Sequence, residues 1–305
     1  MIRHTLFLHV SANEWKPDLI LASGDRMICL ASWVAGEKFS WVAVEHGRTP
    51  VKWEQRIKRW ALRRASAVIC VSEYTRTQML KMGAQPRKSC TIPNGADDTQ
   101  FKLLPAEDVK RFSLRLGLED AKILLTVGHV SERKGQDIVI RVLPFILKQI
   151  PNVHYCLAGL PTEKDKLQKL AAELGVTEHV HFIGRLDSET LVCALNACDV
   201  FVMTSRHASN GSFEGYGIAV VEAALCGKPA VVSNNSGLAE AIAEGETGFG
   251  VPENNEIATA NAILKLLQDD GLRLRMGEAA RARALAEQTW ESRAKEYNKL
   301  LRSLL

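Results

Sequence analysis

Residues 200–232 read VFVMTSRHASNGSFEGYGIAVVEAALCGKPAVV. Short apolar runs begin and end this stretch, at residues 200–203 and 230–232, and such runs are typical of strands that are covered on both faces. Between them, a polar loop and a glycine-rich turn lead into an apolar segment of helical length at residues 218–226. A strand, a helix and a second strand in this order are typical of a parallel α/β unit.

The same alternation continues toward the N terminus. Further runs of strand length lie at residues 123–127, 154–158 and 180–183. Helix-like segments separate them, at residues 137–148, 163–174 and 188–197. The first hundred residues repeat the theme, with strands predicted at residues 19–22, 40–44 and 67–71 and helices at residues 51–64 and 73–82. We therefore predict an α/β fold with two Rossmann-like domains.

The length of 305 residues fits two domains, each large enough to bury a core of its own. We expect a first domain at residues 1–100, a connection at residues 101–120 and a second domain at residues 121–285. Apolar residues at helical spacing predict a C-terminal helix within residues 286–305 that packs back toward the first domain.

Composition excludes several classes of protein. With 46% hydrophobic and 24% charged residues, the chain is typical of globular proteins and unlike a disordered segment. No apolar run reaches the roughly 18 residues of a membrane-spanning helix, and residues 1–10 lack a signal-peptide pattern. Seven cysteines without a CxxC pair indicate reduced thiols. We therefore expect a cytoplasmic protein.

Positive charge is concentrated in the first third, where residues 1–100 carry 15 Lys and Arg against 9 Asp and Glu. Most of the excess lies between Arg48 and Arg64, where seven cations stand with only Glu54. The segment has two readings: peripheral contact with anionic lipid at the inner membrane face, or a solvated helix that packs Trp53 and Trp60 on the sheet. No nucleic-acid ligand is expected.

Two loops after predicted strands carry residues suited to a phosphorylated ligand, because parallel α/β sheets bind ligands beyond the carboxyl ends of their strands. The loop after residues 123–127 runs from Gly128 to Gly135 and contains the adjacent cations Arg133 and Lys134. Cations beside a helix N terminus form an anion site, most naturally for a phosphate or diphosphate. For this loop alone, a solvated charge cluster is an equal alternative.

The second loop places two glutamates around a glycine-rich turn. Gly215 and Gly217 allow backbone N–H groups to approach a ligand closely. Glu214 precedes the apolar helix and Glu222 lies about one turn inside it, so both can face one crevice, Glu214 toward sugar hydroxyls and Glu222 toward a ribose. Two surface carboxylates are a poorer explanation, because residues 218–221 are too apolar for an exposed face.

Further motifs accompany these loops: RKG at residues 133–135, AALCGKP at residues 223–229, SGLAE at residues 236–240 and GETGF at residues 245–249. Together with the spacing of Glu214 and Glu222, they resemble the donor-binding domain of the family 4 retaining glycosyltransferases. IPNGAD at residues 92–97 is similar to the segment that ends the family's N-terminal domain. The resemblance extends from about residue 17 to residue 305.

The resemblance implies two facing Rossmann-like domains of the GT-B type and a nucleoside-diphosphate sugar as substrate, with no metal and no cofactor. It implies that Lys134 neutralises the diphosphate, that Glu214 holds the transferred sugar and that Glu222 binds the ribose. The loop at residues 184–186 would lie against the base. The implied donor-binding residues are Gly128, Arg133, Lys134, Arg185, Leu186, Gly215, Tyr216, Gly217 and Glu222.

His46 completes the implied catalytic residues, beside Glu214 and Lys134. VAVEHG at residues 42–47 resembles the strand end at which the family places a histidine near the reacting sugar. Without the resemblance, a histidine satisfied locally at a strand end is the favoured reading. His179 and His181 alternate on a predicted strand, and because no third ligand accompanies them, we interpret them as structural rather than as a metal site.

Two features depart from the family pattern. His129 stands where the family usually has an arginine, which weakens the anion site, although Arg133 beside Lys134 can compensate. No glycine precedes Gly24, whereas the family begins with a strand and a glycine-rich loop that reach the donor. We therefore expect an incomplete N-terminal domain whose unpaired sheet edge is covered by residues 1–15 or by a partner chain, or else a shortened form of a longer enzyme.

Three functions remain open at this point. The leading hypothesis is retaining transfer of a hexosyl unit from a nucleoside-diphosphate sugar to a glycan or lipid-linked acceptor. The second is a donor-binding chain that is catalytically silent or depends on a partner, which the missing glycine-rich loop favours. The third, which has less support, is a nucleotide-sugar epimerase or a phosphorylase of similar architecture.

Overall fold

The computed structural model describes residues 14–35, 38–47 and 52–305, with the backbone alone for residues 52–54. These residues form two compact units. The first contains the described residues up to Asn94 together with Ser209–Tyr216 and Glu291–Leu305, and the second contains Gly95–Ala208 and Gly217–Trp290. Each unit is built on a parallel sheet of its own, which confirms the predicted α/β class with two Rossmann-like sheets.

In the described residues, the sheet of the first unit has four parallel strands in the order β1-β2-β3-β4. The strands are β1 Leu19–Ser23, β2 Ser40–Glu45, β3 Ala67–Cys70 and β4 Ser89–Thr91. The helices that follow the first three are α1 Asp25–Ala35, α2 Lys52–Arg64 and α3 Glu73–Lys81. The three strands predicted here are confirmed, whereas β4 escapes prediction because its three residues, Ser-Cys-Thr, form no apolar run.

Alternate residues of β2 face opposite sides of the first sheet, as strand geometry requires. Trp41 and Ala43 are buried in the cluster that contains the inner faces of α1 and α2, whereas Val42 is buried on the other side. On that other side lies the C-terminal helix, which packs Tyr297 and Leu300 against the strands. Both faces of β2 are therefore covered, which explains its continuous apolar sequence.

The sheet of the second unit has six parallel strands in the order β10-β9-β8-β5-β6-β7. The strands are β5 Lys122–Val127, β6 Val153–Ala158, β7 Val180–Gly184, β8 Val200–Met203, β9 Ala230–Ser233 and β10 Gly248–Val251. The helices of the unit are α4 Ala106–Leu116, α5 Gln136–Leu147, α6 Lys164–Glu173, α7 Ser188–Ala197, α8 Ile218–Leu225, α9 Glu256–Gln268 and α10 Asp270–Glu287, and α11 Trp290–Arg302 is the C-terminal helix. The order reverses between β5 and β8, which is the point at which such sheets bind ligands.

Part of the stretch that the sequence suggests is a connection is helical. Helix α4 buries Phe112 and ends at Leu116, and the next residue, Gly117, has φ +69° and therefore adopts the left-handed conformation of a helix C-cap. The Leu118 N–H donates to the Ser113 carbonyl oxygen at 2.9 Å, so the helix end is satisfied. An amphipathic helix therefore leads into β5.

Strand β1 is the outermost strand of the first sheet among the described strands, and its Leu21 is 48% exposed. The suggestion that residues 1–15 cover this edge concerns a segment that, apart from Glu14 and Trp15, lies outside the described residues. Among the residues described, no helix combines the length and the apolar character needed to cross a bilayer.

Candidate active site

The loop after β5 lies against the end of β8. Gly135, just before α5, has φ +68°, and a Cβ atom there would lie 2.0 Å from the Thr204 carbonyl oxygen. The Thr204 hydroxyl donates to the Gly135 carbonyl oxygen at 2.7 Å. Only glycine permits this approach, which brings the cation-bearing loop to the centre of the sheet.

Lys134 ends a single turn of 3-10 helix, Glu132–Lys134. Its side chain runs beside Gly128, where an added Cβ atom would lie 3.1 Å from Lys134 Cε, and its Nζ atom lies 3.8 Å from Sδ of Met203. Because Gly128 follows β5 and Met203 ends β8, the ammonium lies over the carboxyl ends of two neighbouring central strands. An anionic ligand at the strand ends would meet this charge first.

Two neighbouring contacts were not anticipated from the sequence. The Arg206 N–H donates to the Arg133 carbonyl oxygen at 2.8 Å, and the Arg206 guanidinium pairs with Asp137 in the first turn of α5. Arg206 could have been found from the sequence, because it is a cation three residues after the end of β8 and that strand end was already predicted to bind a ligand. His129, the departure from the family pattern, hydrogen-bonds through Nε2 to the Thr162 hydroxyl.

Helix α8 begins after a glycine and carries a partly buried carboxylate. Gly217 has φ +105°, and its carbonyl oxygen accepts from the Val220 N–H at 2.9 Å in the first turn of the helix. Val220 and Val221 are buried, as their apolar sequence predicts. Burial raises the pKa of Glu222 to about 7, and within the described residues no ion pair opposes it. Hydroxyl groups that donate to this carboxylate would favour its ionised form.

The loops after β5, β6 and β7 lie next to one another. A Cβ atom at Gly159 would lie 1.9 Å from the Gly128 carbonyl oxygen, and the Gly159 N–H donates to the Gly184 carbonyl oxygen at 2.8 Å. Arg185, which is exposed, and Leu186, which is half-buried, follow directly. Arg185 and Leu186 therefore follow a glycine whose backbone is held against the neighbouring loop.

The segment that carries Glu214 packs in the first unit. Phe213 meets Tyr74 edge-on, with ring centroids 5.1 Å apart. The Thr75 hydroxyl donates to the Gly215 carbonyl oxygen at 3.3 Å. Since Tyr74 and Thr75 lie in the first turn of α3, Glu214 stands between two residues that contact the start of that helix.

His46 follows β2 and lies against the same segment. A Cβ atom at Gly215 would lie 2.0 Å from the His46 carbonyl oxygen, so this position also requires glycine. The imidazole Nε2 lies 2.8 Å from the Ser23 hydroxyl oxygen. Burial lowers the pKa of His46, with Asp25 acting in the opposite direction and Lys58 in the same direction, so the ring is neutral at pH 7.

The sequence-predicted site residues divide between the two units. The second unit contains Gly128, Arg133, Lys134, Arg185, Leu186, Gly217 and Glu222. The first unit contains His46, Glu214, Gly215 and Tyr216. The structure therefore brings Lys134 to the ends of β5 and β8 in one unit, and His46 to Gly215 in the other.

A histidine cluster lies near the beginning of β6 and β7, away from these loops. His154 Nδ1 lies 2.8 Å from His181 Nε2, and His179 Nδ1 hydrogen-bonds the Val153 carbonyl oxygen at 2.9 Å. His154, one residue into β6, was not among the histidines considered from the sequence. In the described ranges, no group of three or more His, Cys, Asp or Glu residues has an arrangement that could hold a metal ion.

Both parts of the chain match models of glycosyltransferases. Residues 109–283 match the model described as Glycosyl transferases group 1, and residues 2–100 match Glycosyltransferase Family 4. The chain belongs to glycosyltransferase family 4. The family resemblance stated from the motifs is thereby confirmed.

Among relatives of this glycosyltransferase is the GDP-mannose-dependent alpha-(1-6)-phosphatidylinositol monomannoside mannosyltransferase of Mycolicibacterium smegmatis. The two are 33% identical over 267 residues, which cover 85% of this chain and 69% of the relative. The D-inositol 3-phosphate glycosyltransferase of Corynebacterium urealyticum is 32% identical over 70% of this chain and 50% of its own length. These names confirm the predicted enzyme class, a hexosyltransferase of family 4.

Solved structures of the same architecture confirm the GT-B fold. Anabaena Alr3699/HepE in complex with UDP and glucose has a TM-score of 0.87 and 26% sequence identity, and the match covers 98% of this chain and 81% of that chain. Sucrose-phosphate synthase from Thermosynechococcus elongatus has a TM-score of 0.83 at 24% identity, a likeness of fold alone.

Proposed function

We propose that this family 4 glycosyltransferase moves a hexosyl unit from a nucleoside-diphosphate sugar to a glycan or lipid-linked acceptor with retention of configuration. The observation that carries the proposal is the Lys134 ammonium at the carboxyl ends of β5 and β8, where a diphosphate would be met by a fixed cation. The HepE structures with UDP and UDP-glucose and the GDP-mannose dependence in the mycobacterial relative's name support a nucleotide-sugar donor.

Each part of the donor is assigned a group of suitable chemistry. Lys134 and Arg133 neutralise the diphosphate, in the role that Mg²⁺ has in other transferases, so neither metal nor cofactor is part of the proposal. Glu222 has two carboxylate oxygens and can accept one hydrogen bond from each ribose hydroxyl. Arg185 and Leu186 lie against the base.

The transferred sugar is assigned to the other loop. Glu214 accepts hydrogen bonds from its hydroxyls, and the backbone N–H groups of residues 215–217 donate to its oxygens, with Gly128 leaving room beside Lys134. His46, neutral at pH 7, is proposed to lie beside the same sugar, where its ring can exchange a hydrogen bond with a hydroxyl.

In the proposed reaction, the bond between sugar C1 and the diphosphate oxygen breaks. A bond from C1 to the acceptor oxygen forms on the same face, and the acceptor proton passes to the departing diphosphate. Negative charge on the diphosphate grows in the transition state, so Lys134 stabilises that state more than the bound donor.

The test measures release of nucleoside diphosphate from the common nucleotide sugars by the full chain. Lys134→Ala and Glu214→Gln are each expected to lower kcat by about 100-fold. Lys166→Ala is the matched control, because Lys166 is 71% exposed in the same unit as Lys134, and it should retain wild-type kcat. If the wild type and both site variants are equally silent with every donor, the proposal is wrong.

The other outcomes identify the remaining functions. Calorimetric binding of UDP or GDP sugars without turnover would indicate a donor-binding chain that is silent or needs a partner chain. An epimerised free sugar would indicate an epimerase, and strict dependence on inorganic phosphate would indicate a phosphorylase.

A lipid-linked acceptor would be met at the membrane surface, and α2 has a suitable exposed face. Trp60 is 46% and Ile57 39% exposed, and the Arg64 guanidinium lies 4.9 Å from the Trp60 ring centroid. Arg56 is exposed as well, whereas Leu62 on the opposite face is buried. Apolar rings among cations are typical of helices that bind anionic lipid surfaces, so we propose a cytoplasmic enzyme that is peripheral at the inner membrane face.

Three residues of this basic segment are left aside here, because Arg48 and the side chains of Lys52 and Trp53 lie outside the described part of the chain. Vesicle co-sedimentation tests the described part. The Trp60→Ala/Arg64→Ala variant should lose binding to vesicles with phosphatidylglycerol, whereas Arg111→Ala, which changes an exposed cation of the second unit, should not. If vesicle binding by the wild type depends on neither the anionic lipid content nor the salt concentration, the membrane proposal is wrong.

A further inference from the structure

Three parts of the first unit meet at one buried ammonium beside His46. Lys58 in α2 is 1% exposed, and its Nζ atom lies 2.5 Å from Oδ1 of Asp25 and 2.7 Å from Oε1 of Glu45. It also donates to the Gly47 carbonyl oxygen at 2.8 Å. Because a lysine ammonium has three donors, these acceptors use all of them, and the group joins the start of α1, the end of β2 and the turn that follows.

That turn is the one that carries His46. Glu45 precedes the histidine and Gly47 follows it, and the Gly47 N–H donates to Oε1 of Glu45 at 3.0 Å. Lys58 therefore holds the residue on each side of His46, one through its side chain and the other through its backbone. The backbone of His46 is fixed, and only rotation of its own side chain remains.

Ser23 restricts that rotation. Strands β1 and β2 are parallel, with Ser23 opposite Val44, so Ser23 and His46 lie at the same edge of the sheet. The Ser23 hydroxyl oxygen lies 2.8 Å from His46 Nε2. A hydroxyl can donate to an unprotonated ring nitrogen or accept from a protonated one, and in either case the contact restricts the orientation of the ring plane.

We propose that Ser23 and Lys58 are positioning residues that set the orientation of the His46 side chain for the transfer step. The inference rests on the proposed function, because it takes His46 to lie beside the reacting sugar. In the transfer step, both residues act through His46. Loss of either should therefore lower kcat and leave the donor KM unchanged, since other residues bind the nucleotide.

The experiment combines steady-state kinetics with nitrogen-15 NMR of the histidine rings in the full chain. Ser23→Ala is expected to shift the His46 ring signals and to lower kcat about tenfold, with the donor KM unchanged. Ser23→Thr keeps the hydroxyl and should restore both properties. The matched control is Ser303→Ala, which removes an exposed hydroxyl of the same unit that accepts from Lys88 at 3.0 Å, and it should change neither.

Lys58 needs a paired substitution, because Lys58→Met alone leaves a buried charge on Glu45. The variant Lys58→Met/Glu45→Gln removes both charges, and circular dichroism checks that it folds. It should reproduce the loss of kcat and the shifted His46 signals.

Comparison with His46→Ala separates the two proposals. If His46→Ala lowers kcat whereas Ser23→Ala leaves both the rate and the ring signals at wild-type values, the positioning role is refuted and the role of His46 stands. If His46→Ala has wild-type kcat, the positioning proposal falls with the role of His46. If the wild type shows no transfer with any donor, the proposed function is wrong. The NMR measurement does not depend on activity, and unshifted His46 ring signals in Ser23→Ala would refute the positioning role by themselves.

Discussion

Glu222 should make the folded chain less stable as the pH rises from 5 to 8, and the variant Glu222→Gln should not show this loss. The side chain is partly buried in α8, and burial raises its pKa from 4.5 to about 7. Glutamine has nearly the same shape and no charge, so it isolates the contribution of ionisation. The comparison therefore measures how strongly the α8 environment opposes a negative charge.

The sign follows from the two pKa values. Below pH 4.5 the carboxyl group is protonated in both the folded and the unfolded chain. Between pH 4.5 and about 7 only the unfolded chain releases the proton, so stability falls by about 1.36 kcal/mol per pH unit. Above about pH 7 both forms are ionised and the loss is complete. It amounts to about 2–3 kcal/mol once remaining contact with solvent is allowed for.

Urea unfolding followed by circular dichroism at pH 5 and pH 8 provides the assay. Glu222→Gln should exceed the wild type by less than about 1 kcal/mol at pH 5 and by about 2–3 kcal/mol at pH 8. Glu246→Gln, at an exposed loop position, is the control and should show no such change with pH. An equal difference between Glu222→Gln and the wild type at both pH values would refute the reasoning.

The affinity for a nucleotide provides a second measurement of the ionisation of Glu222. If ionised Glu222 accepts hydrogen bonds from the ribose, the Kd for UDP should fall about tenfold from pH 6 to pH 8. The fall should disappear in Glu222→Gln. The fall in Kd should also disappear for 2′,3′-dideoxy-UDP. This ligand lacks the ribose hydroxyls but keeps the terminal phosphate, so it separates titration of that phosphate from titration of Glu222.

Three further predictions concern stability. Burial and then neighbouring histidines lower the pKa of His154 to about 4. Acidification should therefore reduce the free energy of unfolding of His154→Gln by about 1–2 kcal/mol less than that of the wild type. Stability is thus lost as the pH falls from 6.5 toward 4, which urea unfolding at pH 7 and 4.5 would detect. Lys58→Met should cost about 3–5 kcal/mol by leaving Glu45 buried without its partner, and a thermal unfolding shift equivalent to less than about 1 kcal/mol would contradict a buried pair. Gly135→Ala should cost roughly 2–4 kcal/mol, since its φ is +68° and its Cβ atom would lie 2.0 Å from the Thr204 carbonyl oxygen; wild-type urea unfolding would contradict this.

Strands buried on both faces could be predicted from the sequence, and less apolar elements could not. All four residues of β8 are buried, so its sequence is a continuous apolar run. In contrast, β10 reads Gly-Phe-Gly-Val, and two glycines give it little strand character. The start of α9 had a usable signal in Asn255, which accepts from the Ala258 N–H at 2.9 Å as an N-cap residue does.

Residue types at the site could be predicted, and their surroundings could not. The sequence places Glu222 on the apolar helix, but spacing alone does not give the depth that raises its pKa. Ser23 and His46 are 23 residues apart, and only the parallel pairing of β1 with β2 shows that they meet. The sequence shows that His129 stands where the family usually has an arginine. Its hydrogen bond to Thr162 could not be predicted, because it depends on how the loop after β6 folds.

Backbone contacts between loops make the carboxyl edge of the second sheet a rigid frame for Lys134. The Gly159 N–H bonds the Gly184 carbonyl oxygen, and Gly159 also lies directly against Gly128. Gly135 is held in the same way against the end of β8. A cation on such a frame can stabilise charge that develops on a leaving diphosphate without first having to be reoriented. Glycines that touch no substrate should therefore affect the transfer rate through the position of Lys134, because any side chain added at Gly135 or Gly159 displaces the loop on which that cation stands.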